Sequence, residues 1–361
     1  RGASRAGGHG GGIGATTMND ISAIRPEILE PACEWAAPDV ADPSAWTELF
    51  SQAEVDELEA AVAHAFSVSE DFLAIGKAEF PLPTLGPRLK EIERELIDGR
   101  GFVRLRGLPR ERWTNDQMSM AYWGIGAHLG KPWPQNAKGH LLGDVTDHGK
   151  PVGDPTSRGN EIGLVGLDFH CDGSDLVGLM CLQTGVSGGL SAVCNSVALH
   201  NRLVRERPDL AAELYKPQPF DYRGEQAPGK PGWYLMPVFS RQGGRVFIRL
   251  IRPYILASQR HADAPRLTEK AIEALAWMQD QAEGGDYSVI MDLQPGDMQF
   301  INNYHVLHGR TAYEDDRAAG KIRHLKRLWL ETEVLADRPK QFVNRMGTHW
   351  AKKLTISRMD A

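Results

Sequence analysis

Short β-like runs dominate the chain after about residue 140, and they limit the folds available to it. Examples are "GLVGLDFH", "DLVGLMCLQTG", "RVFIRLIRPYI" and "YSVIMDLQPGDMQFINN", which are separated by glycine, proline and asparagine. Two helical stretches interrupt them, "SVALHNRLVRERPDLAAELY" and "LTEKAIEALAWMQDQAEGG". Many short strands with few helices favour a sandwich, barrel or jelly roll over an alternating parallel α/β sheet.

The first third of the chain has a different, helical pattern. Ser51 and Glu54 form a capping box before a helix, and apolar residues at helical spacing continue to Leu96. "GFVRLRG" then enters as a strand. We therefore divide the chain into a leader derived from a vector or disordered (1–17), a helix-rich part packed on the core (18–100), a β-rich domain (101–336) and a C-terminal extension (337–361).

Composition excludes several function classes. A formal charge of −6 over 361 residues gives no basic surface for nucleic acid or anionic lipid, and no apolar run approaches the length of a membrane span. The four cysteines have no C-x-x-C spacing, which favours reduced thiols in a cytoplasmic protein. We expect a small-molecule partner; the oligomeric state is open.

The segment "FHCDGS" places ionisable side chains at the end of an apolar run. His170 and Asp172 stand at i and i+2, so both point to one face of a strand. The segment is explained equally well if Asp172 caps a turn and His170 pairs with a backbone group. Further along, "HVLHGRT" carries His305 and His308, of which one is expected to be structural. Two histidines and one carboxylate form a facial triad that leaves positions open on ferrous iron.

Two further motifs suggest an anion site. "KIRHLKRLWLE" reads as a buried strand with Arg323 and Arg327 on one face, and a guanidinium in a β core needs an anion. A salt bridge to one of the chain's own acids is the alternative. In "SGGLSAVCN" the glycine pair permits close backbone approach, and Ser191 offers a hydroxyl beside it.

Taken in order, H-x-D, GG-x-S/T, HGRT and R-x-x-x-R resemble the taurine dioxygenase-like (TauD/TfdA) family of Fe(II)/2-oxoglutarate oxygenases, in the clavaminate synthase-like superfamily. The resemblance spans roughly residues 84 to 335. It implies a mostly β fold with flanking helices, namely a double-stranded β-helix (a cupin-like jelly roll). It also implies Fe(II), with 2-oxoglutarate and O2 as cosubstrates.

By motif position, the resemblance implies a role for each matching residue. His170, Asp172 and His308 would be the iron ligands. Arg323 would bind the distal carboxylate of 2-oxoglutarate, helped by Ser191 where the family commonly has a threonine. Arg327 would lie near substrate or cosubstrate. Because an aspartate is present, the implied outcome is hydroxylation, with desaturation, epoxidation or ring formation as variants.

Softer candidates surround these motifs. Gln135 and Asn136 line the pocket or are ordinary loop residues, and Asn302 and Asn303 orient ligands or close a turn. Arg249 and Arg252 in "FIRLIRPY" alternate poorly with the apolar residues around them, so either could face a substrate carboxylate, and we choose neither.

The resulting prediction is a dioxygenase acting on a small metabolite such as an amino acid or a natural-product intermediate. The alternatives are a cupin-like metal-binding sensor or storage protein and a metal-dependent hydrolase. Arg323 distinguishes the dioxygenase from both alternatives, since neither of them needs a buried arginine that binds a carboxylate after the second histidine.

Overall fold

A computed structural model describes residues 25–149, 163, 165–342 and 354–357. The predicted leader (1–17) and much of the predicted C-terminal extension lie outside the described residues. None of the helices within the described ranges is both long and apolar enough to cross a bilayer.

The helices begin where the sequence supplies caps. Ser51 and Glu54 form the predicted capping box, and Thr114 forms one with Gln117. The stretch predicted as one helix over 196–215 is two helices, because Pro208 lacks the N–H that a continuous helix needs there. The α-helices are α1 (Gln52–Val68), α2 (Leu85–Asp98), α3 (Asn115–Leu129), α4 (Ser196–Glu206), α5 (Pro208–Leu214), α6 (Arg252–Ala257) and α7 (Glu269–Glu283).

The strands follow the short apolar runs of the sequence. They are β1 (Thr47–Leu49), β2 (Phe102–Arg106), β3 (Lys131–Pro132), β4 (His140–Val145), β5 (Leu167–His170), β6 (Leu176–Gln183), β7 (Ser187–Gly188), β8 (Ser191–Asn195), β9 (Pro217–Asp221), β10 (Trp233–Pro237), β11 (Phe239–Gln242), β12 (Arg245–Ile248), β13 (Ser288–Met291), β14 (Met298–Asn302), β15 (Val306–Arg310), β16 (Tyr313–Glu314), β17 (His324–Glu331) and β18 (Thr355–Ile356).

Two sheets make the core. The larger has the order β1-β2-β14-β6-β17-β4-β18, with β3 paired to β17, and the smaller has the order β13-β8-β15-β5. Apolar side chains of both sheets form one buried cluster, in which Val177 and Leu325 of the larger sheet join Val193 and Val306 of the smaller. This is the face-to-face packing of a jelly roll.

Helices cover the outer faces of both sheets. Helices α1, α2 and α3 share a buried apolar cluster with β6 and β17 of the larger sheet, whereas α4, α5 and α7 share another with β8 and β15 of the smaller sheet. The part predicted as helix-rich also contributes β1, which pairs parallel to β2, and it places Trp35 and Trp46 in the cluster between the sheets. The N-terminal segment therefore belongs to the core as well as covering it.

Candidate metal centre

The structure brings His170, Asp172 and His308 together on the inner face of the smaller sheet. His170 on β5 lies directly opposite His308 on β15, and their ring centroids are 4.3 Å apart. One ligand atom of each of the three residues lies within 4.8 Å of the other two. Residues two apart on a strand share a face, which is why the H-x-D spacing aims both side chains at the same point.

The protonation states suit a metal ion. The Nδ1–H of His170 donates to the Asp168 carbonyl at 2.8 Å, which leaves the Nε2 lone pair available. Burial, assisted by the charge of His170, lowers the pKa of His308 to about 3, so its imidazole is neutral. Burial opposes ionisation of Asp172, but Arg327 and the two histidines outweigh it and hold the pKa of this carboxyl well below its usual range. Two imidazole nitrogens and one carboxylate are a donor set that fits ferrous iron.

Asn303 fixes the backbone around Asp172. Its Oδ1 accepts from the Asp172 N–H at 2.7 Å, and its Nδ2 donates to the carbonyls of Asp172 and Ser174 at 2.8 and 2.7 Å. Neighbouring Asn302 instead accepts from the N–H of Tyr304 at 3.0 Å and so closes the turn before β15. The two asparagines therefore have different tasks, one at the H-x-D segment and one in the turn.

Among the residues that the structure describes, two side chains of β17 donate to the Asp172 carboxylate. Trp329 Nε1 donates to Asp172 Oδ2 at 2.8 Å, and Arg327 Nη1 donates to the same oxygen at 3.1 Å. Arg327 also donates through Nε to Gln135 Oε1 at 2.8 Å. Gly143 makes room for this amide, since a Cβ there would lie 2.8 Å from Gln135 Oε1. Gln135 thus belongs to a buried chain of contacts that ends at Asp172.

Asn136 lies outside that chain of contacts. Its Oδ1 accepts from the N–H groups of Lys138 and His140, and its Nδ2 lies 3.2 Å from His140 Nδ1. These contacts stabilise the turn before β4. Of the two adjacent residues predicted as softer candidates, only Gln135 reaches the cluster.

Arg323 is a buried guanidinium that has no acid within salt-bridge distance among the described residues. Its Nε and Nη2 both donate to the Gly189 carbonyl, at 3.2 and 3.0 Å, and it lies over the Tyr313 ring. Its Nη1 is buried and has no hydrogen-bond partner among the described residues. Ser191 donates to Gln299 Oε1 at 2.5 Å, and Gln299 Nε2 is likewise buried without a partner in the described part of the chain. Unpaired buried donors of this kind are expected where an anion is to be bound.

The first histidine of "HVLHGRT", His305, has a separate role. His305 Nε2 lies 3.0 Å from Glu30 Oε2, so it ties the N-terminal segment to the turn before β15. Cys171, between His170 and Asp172, points to the opposite face and donates to the Ile248 carbonyl. Burial raises the pKa of its thiol to about 12, which keeps it protonated.

Sequence reasoning missed Trp329, Gln299 and Arg310. Trp329 lies two residues after Arg327 on β17 and so shares its face, a signal that the alternation rule supplies. Gln299 is a fully buried amide in an otherwise apolar strand. Arg310 stacks on the Tyr313 ring, with 4.5 Å from its Cζ to the ring centroid, and burial together with Arg323 lowers its pKa to about 10.

Residues 66–329 match the model of the taurine catabolism dioxygenase TauD, TfdA family. The chain belongs to this family. The expected enzyme class, an Fe(II)/2-oxoglutarate-dependent dioxygenase, is therefore confirmed, and so are the cosubstrates that define this class. Among similar proteins, FR-33289 synthase of Streptomyces rubellomurinus is 30% identical over 330 residues, covering 88% of this chain and 94% of the synthase. The taurine hydroxylase-like protein SAT17 of Stachybotrys chartarum is 28% identical over 80% of this chain and 76% of its own.

Solved structures of family-like oxygenases confirm the fold. An asparagine oxygenase in complex with Fe(II), 2S,3S-3-hydroxyasparagine and succinate has a TM-score of 0.60 at 18% identity, covering 82% of this chain and 97% of its own. The non-heme iron oxygenase OrfP in complex with Fe and α-ketoglutaric acid has a TM-score of 0.60 at 17% identity, covering 83% and 98%. The predicted jelly roll with flanking helices is thus confirmed.

Proposed function

We propose that this TauD/TfdA-family enzyme hydroxylates a C–H bond of a small metabolite, an amino acid or a natural-product intermediate, with iron held by His170, Asp172 and His308. The observation that carries the proposal is the cluster of the three ligand atoms, which lie within 4.8 Å of one another and of which those of Asp172 and His308 belong to buried residues. Relatives support the substrate class: one asparagine oxygenase structure contains a hydroxylated asparagine with succinate, and one OrfP structure contains a hydroxylated arginine.

The chain's residues prepare the site for both cosubstrates. When bound, ferrous iron and 2-oxoglutarate activate O2 for C–H hydroxylation and release succinate and CO2. Three protein ligands leave coordination positions free for the 2-oxo acid and O2. The free Nη1 of Arg323, with the hydroxyl of Ser191 as a further donor, offers the far carboxylate of 2-oxoglutarate a charge-assisted contact in a desolvated place.

Arg327 has two tasks. Through Nη1 it keeps Asp172 ionised and oriented, and through Nε it is held by Gln135. Because a guanidinium carries further N–H groups, Arg327 is also placed to contact a substrate approaching Asp172. Trp329 adds a second donor to the same carboxylate oxygen, so the aspartate is fixed before any ligand binds.

The two alternatives do not explain Arg323. A metal sensor or a hydrolase has no use for a buried guanidinium with a free donor, whose burial costs free energy unless an anion is bound. The net charge of −6 supports a small molecule over a nucleic acid. The four buried free thiols of the described residues support our proposal of a cytoplasmic location.

An anaerobic titration and a turnover assay in air test the assignment. Adding Fe(II) and 2-oxoglutarate should produce the visible charge-transfer band of the chelate, and admitting air with a substrate should release succinate. The His308→Ala variant should bind iron far more weakly, because it removes one of three ligands, whereas His305→Ala should retain most of the binding. Equal iron affinity in His308→Ala and the parent would refute the ligand assignment.

A further inference from the structure

A further buried arginine, Arg249, lies beside the proposed metal centre and is not explained by either cosubstrate. The Cys171 N–H donates to the Leu250 carbonyl, so residues 249–250 extend the smaller sheet next to β5. Ile248, Leu250 and Cys171 all pack in the apolar cluster under α4, α5 and α7, on the outer face. Alternation therefore puts Arg249 on the inner face, with His170 and Asp172.

Contacts confirm this placement. Arg249 Nη1 donates to the Asp172 carbonyl oxygen. A Cβ on Gly173 would lie 2.9 Å from the Trp329 ring and 3.5 Å from Arg249 Nη2, so the glycine lets both side chains approach the H-x-D segment closely. Arg249 thus borders the same aspartate that Trp329 and Arg327 contact on its carboxylate side.

Arg249 is buried without a compensating anion. It is 7% exposed, its Nε has no hydrogen-bond partner, and no described carboxylate lies within 4.0 Å of its guanidinium. The Tyr234 hydroxyl is also buried and has no hydrogen-bond partner in the described residues. It lies close enough to Arg249 for the positive charge of the arginine to lower the pKa of the phenol. Burial raises the pKa of this phenol to about 12, and the arginine charge only partly offsets that, so the hydroxyl is a proton donor.

Neither the Asp172 carboxylate nor the two carboxylates of 2-oxoglutarate are placed to pair with Arg249. The Asp172 carboxylate contacts Arg327, whereas Arg249 and Arg323 donate to the backbone carbonyls of Asp172 and Gly189. 2-Oxoglutarate supplies one carboxylate to iron and the other to Arg323. A buried guanidinium left without an anion is costly, so a further anion has to come from the remaining ligand, the substrate.

We propose that Arg249 and the Tyr234 hydroxyl bind an oxyanion of the substrate, a carboxylate, sulfonate or phosphonate, and so determine specificity. This inference rests on the proposed function, because it takes the iron and 2-oxoglutarate sites as given. Arg249 supplies charge and a planar set of donors, and Tyr234 supplies a neutral donor at its side.

The test uses four probes on one skeleton: 4-aminobutyrate, homotaurine, 3-aminopropylphosphonate and the uncharged-head analogue 3-amino-1-propanol. Each is titrated anaerobically into the parent complex with Fe(II) and 2-oxoglutarate, with calorimetry for affinity and the charge-transfer band as a check of the chelate. At least one oxyanion probe should bind the parent roughly 10-fold or more tightly than the alcohol, since a charge-assisted contact contributes about 1.5–3 kcal/mol. The oxyanion that binds best identifies the substrate's acidic group.

The variants separate recognition from folding. Arg249→Gln should raise the Kd of the preferred oxyanion by roughly 10-fold or more and leave the alcohol unchanged. Tyr234→Phe, which keeps the ring, should raise it by a smaller factor in the same direction. Arg252→Gln, a neighbouring arginine at the start of α6, is the matched control and should have no effect.

Two results would overturn the inference while the chelate band stays intact. One is a parent that binds none of the oxyanions or binds them no better than the alcohol. The other is an Arg249→Gln variant that retains the oxyanion preference. Failure of the parent to form the band at all would instead overturn the proposed function, and this inference with it.

Discussion

Replacing Asn303 by alanine should weaken iron binding although Asn303 is not itself expected to touch the metal. Its side chain is fully buried and makes three hydrogen bonds, to the Asp172 N–H and to the carbonyls of Asp172 and Ser174. These contacts hold the backbone that carries the Asp172 carboxylate. Asn302→Ala is the matched control, since this equally buried neighbour makes its contact to Tyr304 instead.

The expected magnitude follows from the groups left without partners. Each buried backbone group that loses its partner costs about 1–3 kcal/mol. The Asp172 carbonyl keeps a bond from Arg249, so the Asp172 N–H and the Ser174 carbonyl bear most of the loss. Residues that orient metal ligands typically change metal affinity by roughly 10–100-fold, or about 1.4–2.7 kcal/mol. We expect Asn303→Ala to fall within that range and Asn302→Ala to change iron affinity less than about 3-fold.

The assay combines anaerobic Fe(II) titration with denaturant unfolding of the metal-free protein. The unfolding measurement is needed because both variants lose stability, and only a difference in iron affinity at similar stability reports on positioning. If both variants lose iron affinity in proportion to their loss of stability, Asn303 is a structural residue and our account of it is wrong.

Three further predictions address the cosubstrate, the aspartate and pH. Arg323→Ala should raise the concentration of 2-oxoglutarate needed for turnover by a factor of roughly 30 or more, since loss of a desolvated charge pair costs about 2–5 kcal/mol. Arg327→Ala should instead affect the KM of the substrate more. The reversed pattern in succinate-release kinetics would show that the two roles are exchanged. Asp172→Gly should weaken iron binding, still allow a visible 2-oxoglutarate chelate and abolish hydroxylation; normal turnover would make Asp172 a turn cap. Burial lowers the pKa of His200 to about 4, so the folded state binds its proton less readily than the unfolded state, and stability should fall by about 3 kcal/mol as pH drops from about 6.5 to 4. Acid unfolding of His200→Gln should lack this slope, while His64→Gln, at an exposed position, should keep it.

The sequence predicts an element, or the face on which a side chain lies, correctly where the residues of one short segment determine it. The Ser51–Glu54 box starts α1, and the alternation in "FHCDGS" puts His170 and Asp172 on one face. The helix over 196–215 was predicted as continuous because the apolar spacing runs through Pro208, but the missing N–H of proline divides it. The spacing of apolar residues indicates one helix there, whereas the missing N–H of Pro208 divides it into two.

The choice between paired residues needed long-range contacts. His305 and His308 look alike in sequence, and only their contacts distinguish them. His308 on β15 lies opposite His170 on the neighbouring strand β5, while His305 contacts Glu30 of the N-terminal segment. The same holds for Asn302 and Asn303, whose partners are Tyr304 and the H-x-D segment. The sequence pattern of a few adjacent residues does not predict which of two neighbouring side chains contacts a distant part of the chain.

Arg249 illustrates why the substrate side of a site is harder to read than the metal side. In "FIRLIRPY" the arginine lies just after β12 ends at Ile248, where a strand's own alternation stops being reliable. Its face is decided by the bond from Cys171 to Leu250, which joins residues nearly eighty positions apart. Metal ligands must converge on one ion, so their spacing in the sequence is restricted. An arginine that binds an anion has a long side chain, so it can come from any segment that borders the sheet.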